Sequence, residues 1–214
     1  FTGSHEVGME VCRKATAGAY PKPVITEMGG KNAAIITAEG NLDDAAIGIM
    51  RSAFGLSGQK CSALSRVYVE EKVADDLISK LKLIVDAITV GDPTAQENYL
   101  GPVGNRDAYE NYQAYVAELD DSGAKIVSGE GILTEAGMDK GYFCSPIVAE
   151  ASLEHRLWQH EMFVPIVMIA RIPDKETGLA LANDTPLGLT AGFYGNPEET
   201  MWFLDNIEAG VVYT

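Results

Sequence analysis

The residue with the most evident chemistry is Cys61, set in Gly55-Leu56-Ser57-Gly58-Gln59-Lys60-Cys61-Ser62. The segment reads as a glycine-flanked loop that follows an amphipathic helix. Gly58 lets the backbone approach a ligand closely. A positive charge at Lys60 favours the thiolate if its side chain points inward, and backbone N–H groups of such a turn can hold a developing oxyanion. The plain alternative is a buried structural cysteine, the usual state of a free thiol.

Three further segments carry candidate groups. In Glu27-Met28-Gly29-Gly30-Lys31-Asn32 a carboxylate at a strand end precedes two glycines, so Glu27 can project into a cleft as a general base, or can be a solvated charge beside a turn. In Glu161-Met162-Phe163-Val164-Pro165 the carboxylate and the aromatic ring share a face if the chain is extended. Such a pair could hold a sugar diol and pack on its ring, or be a surface charge beside an edge-strand residue. Phe1-Thr2-Gly3-Ser4-His5-Glu6-Val7-Gly8 runs into a helix-like stretch, and a helix start with glycines can present N–H groups to a phosphate. It lacks the full dinucleotide glycine pattern.

The elements that must position these groups alternate in type. Val24–Thr26 and Ala33–Thr37 read as strands. Asn41 is a candidate N-cap, with Asp43 and Asp44 in the first turn of a helix that Gly55 and Gly58 end. Arg66–Val69 reads as a strand, and Glu71–Ile88 as a helix with Val73, Leu77, Leu81, Ile84 and Val85 on one face. Asp107–Leu119, Lys175–Ala182 and Pro197–Asn206 read as helices, the last with proline in its first turn. Lys125–Ser128, Tyr142–Val148, Val164–Arg171, Ala191–Tyr194 and Val211–Tyr213 read as strands. The expected fold is α/β, a three-layer α/β/α arrangement around an open, mostly parallel twisted sheet.

Bulk properties narrow the function classes. The 214 residues are 46% apolar and 22% charged, ordinary for a globular chain able to bury its own core. A net charge of -15 repels phosphate backbones, which argues against nucleic acid. The longest apolar run, near Phe163–Ala170, is too short to cross a bilayer. Three widely spaced cysteines, Cys12, Cys61 and Cys144, form no CxxC pair, so neither a thiolate zinc site nor a disulfide scaffold is expected, and a reducing cytoplasm fits. Cys12 and Cys144 read as core residues, and Trp158 and Trp202 as packing residues.

Taken together and in order, FTGS-x-x-x-G, E-M-G-G-K-N, G-Q-K-C and E-x-F-x-P resemble the aldehyde dehydrogenase superfamily over almost the whole chain. The stretch Phe54-Gly55-x-x-Gly58-Gln59-Lys60-Cys61-Ser62-Ala63 looks most like its pyrroline-5-carboxylate (glutamate semialdehyde) dehydrogenase branch. The resemblance implies NAD(P)-dependent oxidation of a small-molecule aldehyde to an acid, in a homo-oligomer. It implies Cys61 as nucleophile, through a thiohemiacetal and a thioester, and Glu27 as the group that activates water. It places Glu161 on the nicotinamide ribose with Phe163 beside it, and Gly3, Ser4 and Gly8 at the turn near the pyrophosphate. No metal is implied.

Two positions depart from the family pattern: Val164 stands where glycine is usual, and His160 where an acidic residue is usual, so a shifted ribose-binding strand is expected. By the resemblance residues 1–30 are the end of a dinucleotide-binding domain, 31–208 a catalytic domain, and 209–214 the chain returning to the first. The sequence reads as cut at both ends, with the upstream part of the cofactor site outside it. Two other readings stand beside this one. A cofactor-independent cysteine esterase or hydrolase would need Cys61 with Glu27, or with His155 or His160. A non-catalytic domain would bind no dinucleotide tightly.

Overall fold

Each strand in the centre of the sheet is buried on both faces, which explains its run of apolar residues. β1 (Asn32–Ile36) is buried throughout, and β2 (Leu64–Glu70) and β5 (Ile166–Ile172) almost so. Such strands need helices on both sides. The computed structural model, which describes residues 1–214, supplies them. The remaining strands are β3 (Lys125–Ser128), β4 (Ile147–Glu150), β6 (Thr190–Tyr194) and β7 (Val211–Tyr213). The seven form one sheet in the order β3-β4-β5-β2-β1-β6-β7, parallel except for the β3–β4 pair. The expected α/β/α architecture is therefore present.

Local chemistry fixes the helices. α1 is His5–Thr16. In α2 (Leu42–Phe54) Asn41 caps the N–H groups of Asp43 and Asp44, as its position suggested. α3 (Glu71–Asp86) buries Leu77, Leu81 and Val85. α4 (Arg106–Asp121) and α5 (Lys175–Asn183) are capped by Asn105 and Asp174. α6 (Pro197–Asn206) starts with a reciprocal capping box between Asn196 and Glu199. Two apolar cores result. α2 and α3 cover Ala34, Ile36, Val67 and Val69 on one face of the sheet, while α4, α5 and α6 cover Ala33, Ile35, Tyr68 and Met168 on the other.

Three sequence expectations need correction. Val24–Thr26 is no strand: only an isolated bridge joins Glu27 to Thr2, because no neighbouring strand offers a longer ladder. The strand read from Tyr142 begins at Ile147, and the stretch before it contributes only a bridge between Cys144 and Ile132. Cys12 is half-buried rather than in the core, since α1 buries only Gly8. Cys144 and Trp158 are buried as expected, the latter stacked on Tyr68 with ring centroids 5.2 Å apart.

Candidate functional site

Strand order decides what the loops can build. β5, β2, β1 and β6 lie side by side and run the same way. The segments that enter β1, β2 and β5, residues 27–31, 58–63 and 161–165, therefore meet outside one edge of the sheet. It is the amino edge, opposite the carboxyl edge that open α/β sheets ordinarily use. Gly30, Gly58, Lys60, Glu161, Phe163 and Val164 line one small recess there, so all three segments contribute to it.

The cysteine loop leaves α2 through a run of left-handed residues, Leu56 (φ 54°), Ser57 (φ 55°) and Gly58 (φ 70°). The two without glycine's freedom cost about 1 kcal/mol each, and such strain persists only where the surroundings over-determine it. Here Ser57 Oγ donates to the Gly101 carbonyl at 3.0 Å, and the Gln59 side chain accepts from the Gly104 N–H at 2.7 Å. Gly58 packs so tightly on the Val164 carbonyl that a Cβ would collide with it. Past this clamp Cys61 is exposed. Lys60 does not reach into the core: its ammonium lies over Gly55, where a Cβ would stand 3.2 Å from Nζ.

Asn32 joins this loop to β1. Its Nδ2 donates to the carbonyls of Cys61 and Ala63, both at 2.8 Å, and its Oδ1 accepts from the Thr190 N–H at 3.0 Å. One buried amide thus ties the starts of β1, β2 and β6 together. Gly30 passes against the Cys61 carbonyl with no room for a side chain. Glu27, three residues earlier, has its backbone held by Phe1 and Gly3: its N–H donates to the Phe1 carbonyl at 2.8 Å, and its carbonyl accepts from Gly3 at 3.0 Å. The Glu27 side chain is exposed and makes no hydrogen bond or ion pair within the protein.

Glu161 is half-buried and turned onto the glycine pair. Its Oε1 accepts from the Gly30 N–H at 3.1 Å, and Gly29 leaves the space its carboxylate fills. Phe163 is exposed with a left-handed backbone (φ 55°), so its ring stands off the sheet edge. Val164 is buried beside it. His160 points away, its Nε2 2.8 Å from Tyr115 Oη. Burial and the charges of Arg156 and Lys31 push its imidazole below the usual histidine range. His155 pairs with Glu118 and accepts from the Leu157 N–H. Neither histidine hydrogen-bonds Cys61, which leaves the cysteine–histidine hydrolase reading without a partner.

At the start of the chain Ser4 caps α1 by accepting from Val7, and Gly8 packs on Met28 without space for a Cβ. Through the Thr2–Glu27 bridge this helix end is held beside the Glu27 segment. Sequence reasoning missed Asn32, Lys31 and Arg66, all buried here. Asn32 and Lys31 end the Glu27-Met28-Gly29-Gly30-Lys31-Asn32 segment with no local sign of burial, and Arg66 has the local surroundings of an ordinary strand residue.

Residues 1–214 match the model of the aldehyde dehydrogenase family over their full length. The chain belongs to that family. Among curated members, 1-pyrroline-5-carboxylate dehydrogenase from Bacillus cytotoxicus is 38% identical over 202 residues, covering 92% of this chain and 38% of the relative. The Geobacillus kaustophilus protein of the same name is 39% identical over 196 residues, covering 89% and 37%. Among solved structures, 1-pyrroline-5-carboxylate dehydrogenase from Thermus with bound NAD superimposes with a TM-score of 0.91 at 31% identity, over 100% of this chain and 41% of that one. PnpE from Pseudomonas sp. WBC-3 does so with 0.94 at 28%, over 100% and 44%. The chain thus spans less than half the length of these relatives.

Proposed function

We propose that this chain carries the nucleophile and the water-activating base of an NAD(P)-dependent aldehyde oxidation, with Cys61 and Glu27 in those roles. The observation that carries the reading is the clamped loop: strained, tied to β1 through Asn32, and ending in an exposed thiol. The Cys61 thiolate adds to the aldehyde carbon, forming a C–S bond and placing negative charge on the former carbonyl oxygen. When bound, a nicotinamide cofactor beside Glu161 and Phe163 would supply the hydride acceptor that the oxidation of this adduct requires. Glu27 then takes a proton from water as that water attacks the thioester carbon, and the thiolate leaves as the acid forms. Its unpaired, exposed carboxylate suits the task.

The residues present fit the nicotinamide side of a dinucleotide. Glu161 has one carboxylate oxygen without a hydrogen bond, Phe163 offers an exposed ring, and Gly3, Ser4 and Gly8 form a helix start that can face phosphate. Residues 1–30 are read as the end of a dinucleotide-binding domain, 31–208 as the catalytic domain, and 209–214 as the return segment. The shared name of the curated relatives favours glutamate semialdehyde as the aldehyde. Three free cysteines suit a reducing cytoplasm, and exposed Phe1, Tyr20, Ile25 and Tyr213 suit a homo-oligomer.

A p-nitrophenyl acetate burst tests the thiol roles without cofactor. Mass spectrometry should find the acetyl group on Cys61, with no burst in Cys61→Ala and a long-lived adduct in Glu27→Gln. Acetylation elsewhere, or adduct hydrolysis unchanged in Glu27→Gln, would overturn the assignment. In the protein at the relatives' full length, NADH formation should disappear in Cys61→Ala.

A further inference from the structure

Glu161 and Phe163 lie in a stretch whose backbone does little to hold it. None of the N–H groups from His160 to Val164 donates to a backbone carbonyl. With no ladder or helix bond to set its course, the stretch depends on what its side chains hold. Upstream, Leu157 and Trp158 are buried, and the Trp158 ring stacks on Tyr68 while its Nε1 donates to the Ser152 carbonyl at 2.8 Å. Downstream, Met162 and Val164 are buried. Gln159, His160 and Glu161 lie between these anchors and are tied by polar groups. Gln159 Nε2 donates to the Asp184 carbonyl at 2.7 Å, His160 meets Tyr115, and Glu161 accepts from the Gly30 N–H.

The tie at His160 comes from α4. Tyr115 is buried on that helix, and its Oη stands 2.8 Å from His160 Nε2. A hydroxyl can donate or accept, so the bond suits either tautomer of the imidazole. The two rings meet edge to face, with centroids 5.5 Å apart at 64°. The Arg156 guanidinium stands 5.9 Å from the centroid of the same Tyr115 ring and pairs with Glu118, one turn along α4. α4 therefore grips the segment at Arg156 and again at His160, and the grip ends one residue short of Glu161. One side chain reaches α4 and the next reaches Gly30, so the peptide they share is held from both sides.

We propose that Tyr115 is a positioning residue for Glu161. Its hydroxyl holds the His160 imidazole against α4, which sets the following peptide so that the Glu161 carboxylate reaches the Gly30 N–H. The bearing of this on the cofactor rests on Glu161 holding the ribose, as proposed above.

The test reads the Gly30 amide of the 15N-labelled chain by NMR, with no cofactor present. Glu161→Ala removes the acceptor and gives the position of the released amide. Tyr115→Phe keeps the ring and its packing but loses the oxygen, and should move the Gly30 amide most of the way to that position. His160→Leu should do the same, and the double variant should move it no further, because both changes break one bond. His160→Gln, which can place an amide where Nε2 stood, should return the signal to its place in the unaltered chain. His160 is exposed, so its variants decide the matter if Tyr115→Phe does not fold. A Gly30 amide unmoved in these variants, even with a lower urea midpoint, would reduce the contact to packing and overturn the proposal. So would a double variant whose displacement is the sum of the two. In the protein at the relatives' full length, Tyr115→Phe should raise KM for NAD by a factor of about two to ten, the worth of one hydrogen bond, with kcat little changed. An unchanged KM beside a displaced amide would take Glu161 away from the cofactor and leave its positioning by Tyr115 standing.

Discussion

The side-chain amide of Asn32 donates to the carbonyl of Cys61 at 2.8 Å, so the first residue of β1 holds the loop that presents the thiol. The same side chain satisfies Ala63 and Thr190. Asn32→Ala would strand two carbonyls and an N–H at a largely buried junction. Unsatisfied groups of this kind cost about 1–3 kcal/mol each, and partial hydration lowers the sum. Urea unfolding should show a loss of about 3 kcal/mol, and Cys61 should alkylate at a changed rate. Unaltered stability would mean that the loop is held by other contacts.

Two of the three thiols should separate cleanly in reactivity. Cys144 is buried, and burial pushes its thiol up to about 12, whereas Cys61 is exposed. Iodoacetamide at pH 8 followed by peptide mapping should label Cys61 long before Cys144. Equal rates would indicate that the core around Cys144 opens readily.

Lys31 predicts a pH-dependent stability with a defined sign. Its folded value is depressed from 10.5 to about 7, so between those two pH values the unfolded chain binds a proton that the folded chain does not. Stability should therefore rise from pH 7 to pH 10.5 by an amount on the order of 4 kcal/mol, and below pH 7 this contribution is flat. Lys31→Met should remove that slope and be more stable than the unaltered chain at pH 7. Parallel pH profiles from denaturant titrations of the two proteins would contradict the assignment.

Gly29 and Gly30 should respond differently to alanine. The three atoms nearest a methyl at Gly29 all belong to the far end of the Glu161 side chain, which can turn aside. A methyl at Gly30 meets the backbone carbonyl of Cys61. Gly29→Ala should cost less than about 1 kcal/mol, and Gly30→Ala about 1–3 kcal/mol or more, the usual cost of overpacking. Thermal melts of both variants check the order.

Leu56 is exposed in a left-handed conformation, so Leu56→Gly should relieve strain and stabilise the chain by roughly 0.5–1 kcal/mol. Ser57→Gly relieves the same strain but loses the hydrogen bond to Gly101, and should give no gain. A shift in urea midpoint for the first variant alone is the expected result.

Read alone, the sequence determined what depends on neighbours along the chain. Asn41 and Pro197 mark helix starts because capping and first-turn preferences involve residues only a few positions apart. Alternation of apolar runs with amphipathic stretches fixed the α/β class, and the ordered motifs around Glu27, Cys61 and Glu161 pointed to the family. Tertiary structure decided the rest. Adjacency of β5, β2 and β1 brings together residues over 130 positions apart, as in the contact of Gly30 with Glu161, and no local period encodes strand order. It also overruled local signals. Val24–Thr26 has β-forming residues but no ladder to join, and Cys12 has helical spacing but little protein packed over its helix. A lysine after two glycines carries no local sign of burial. Only the assembled sheet, with Arg66 already bonded to the surrounding carbonyls, leaves the Lys31 ammonium buried and unpaired.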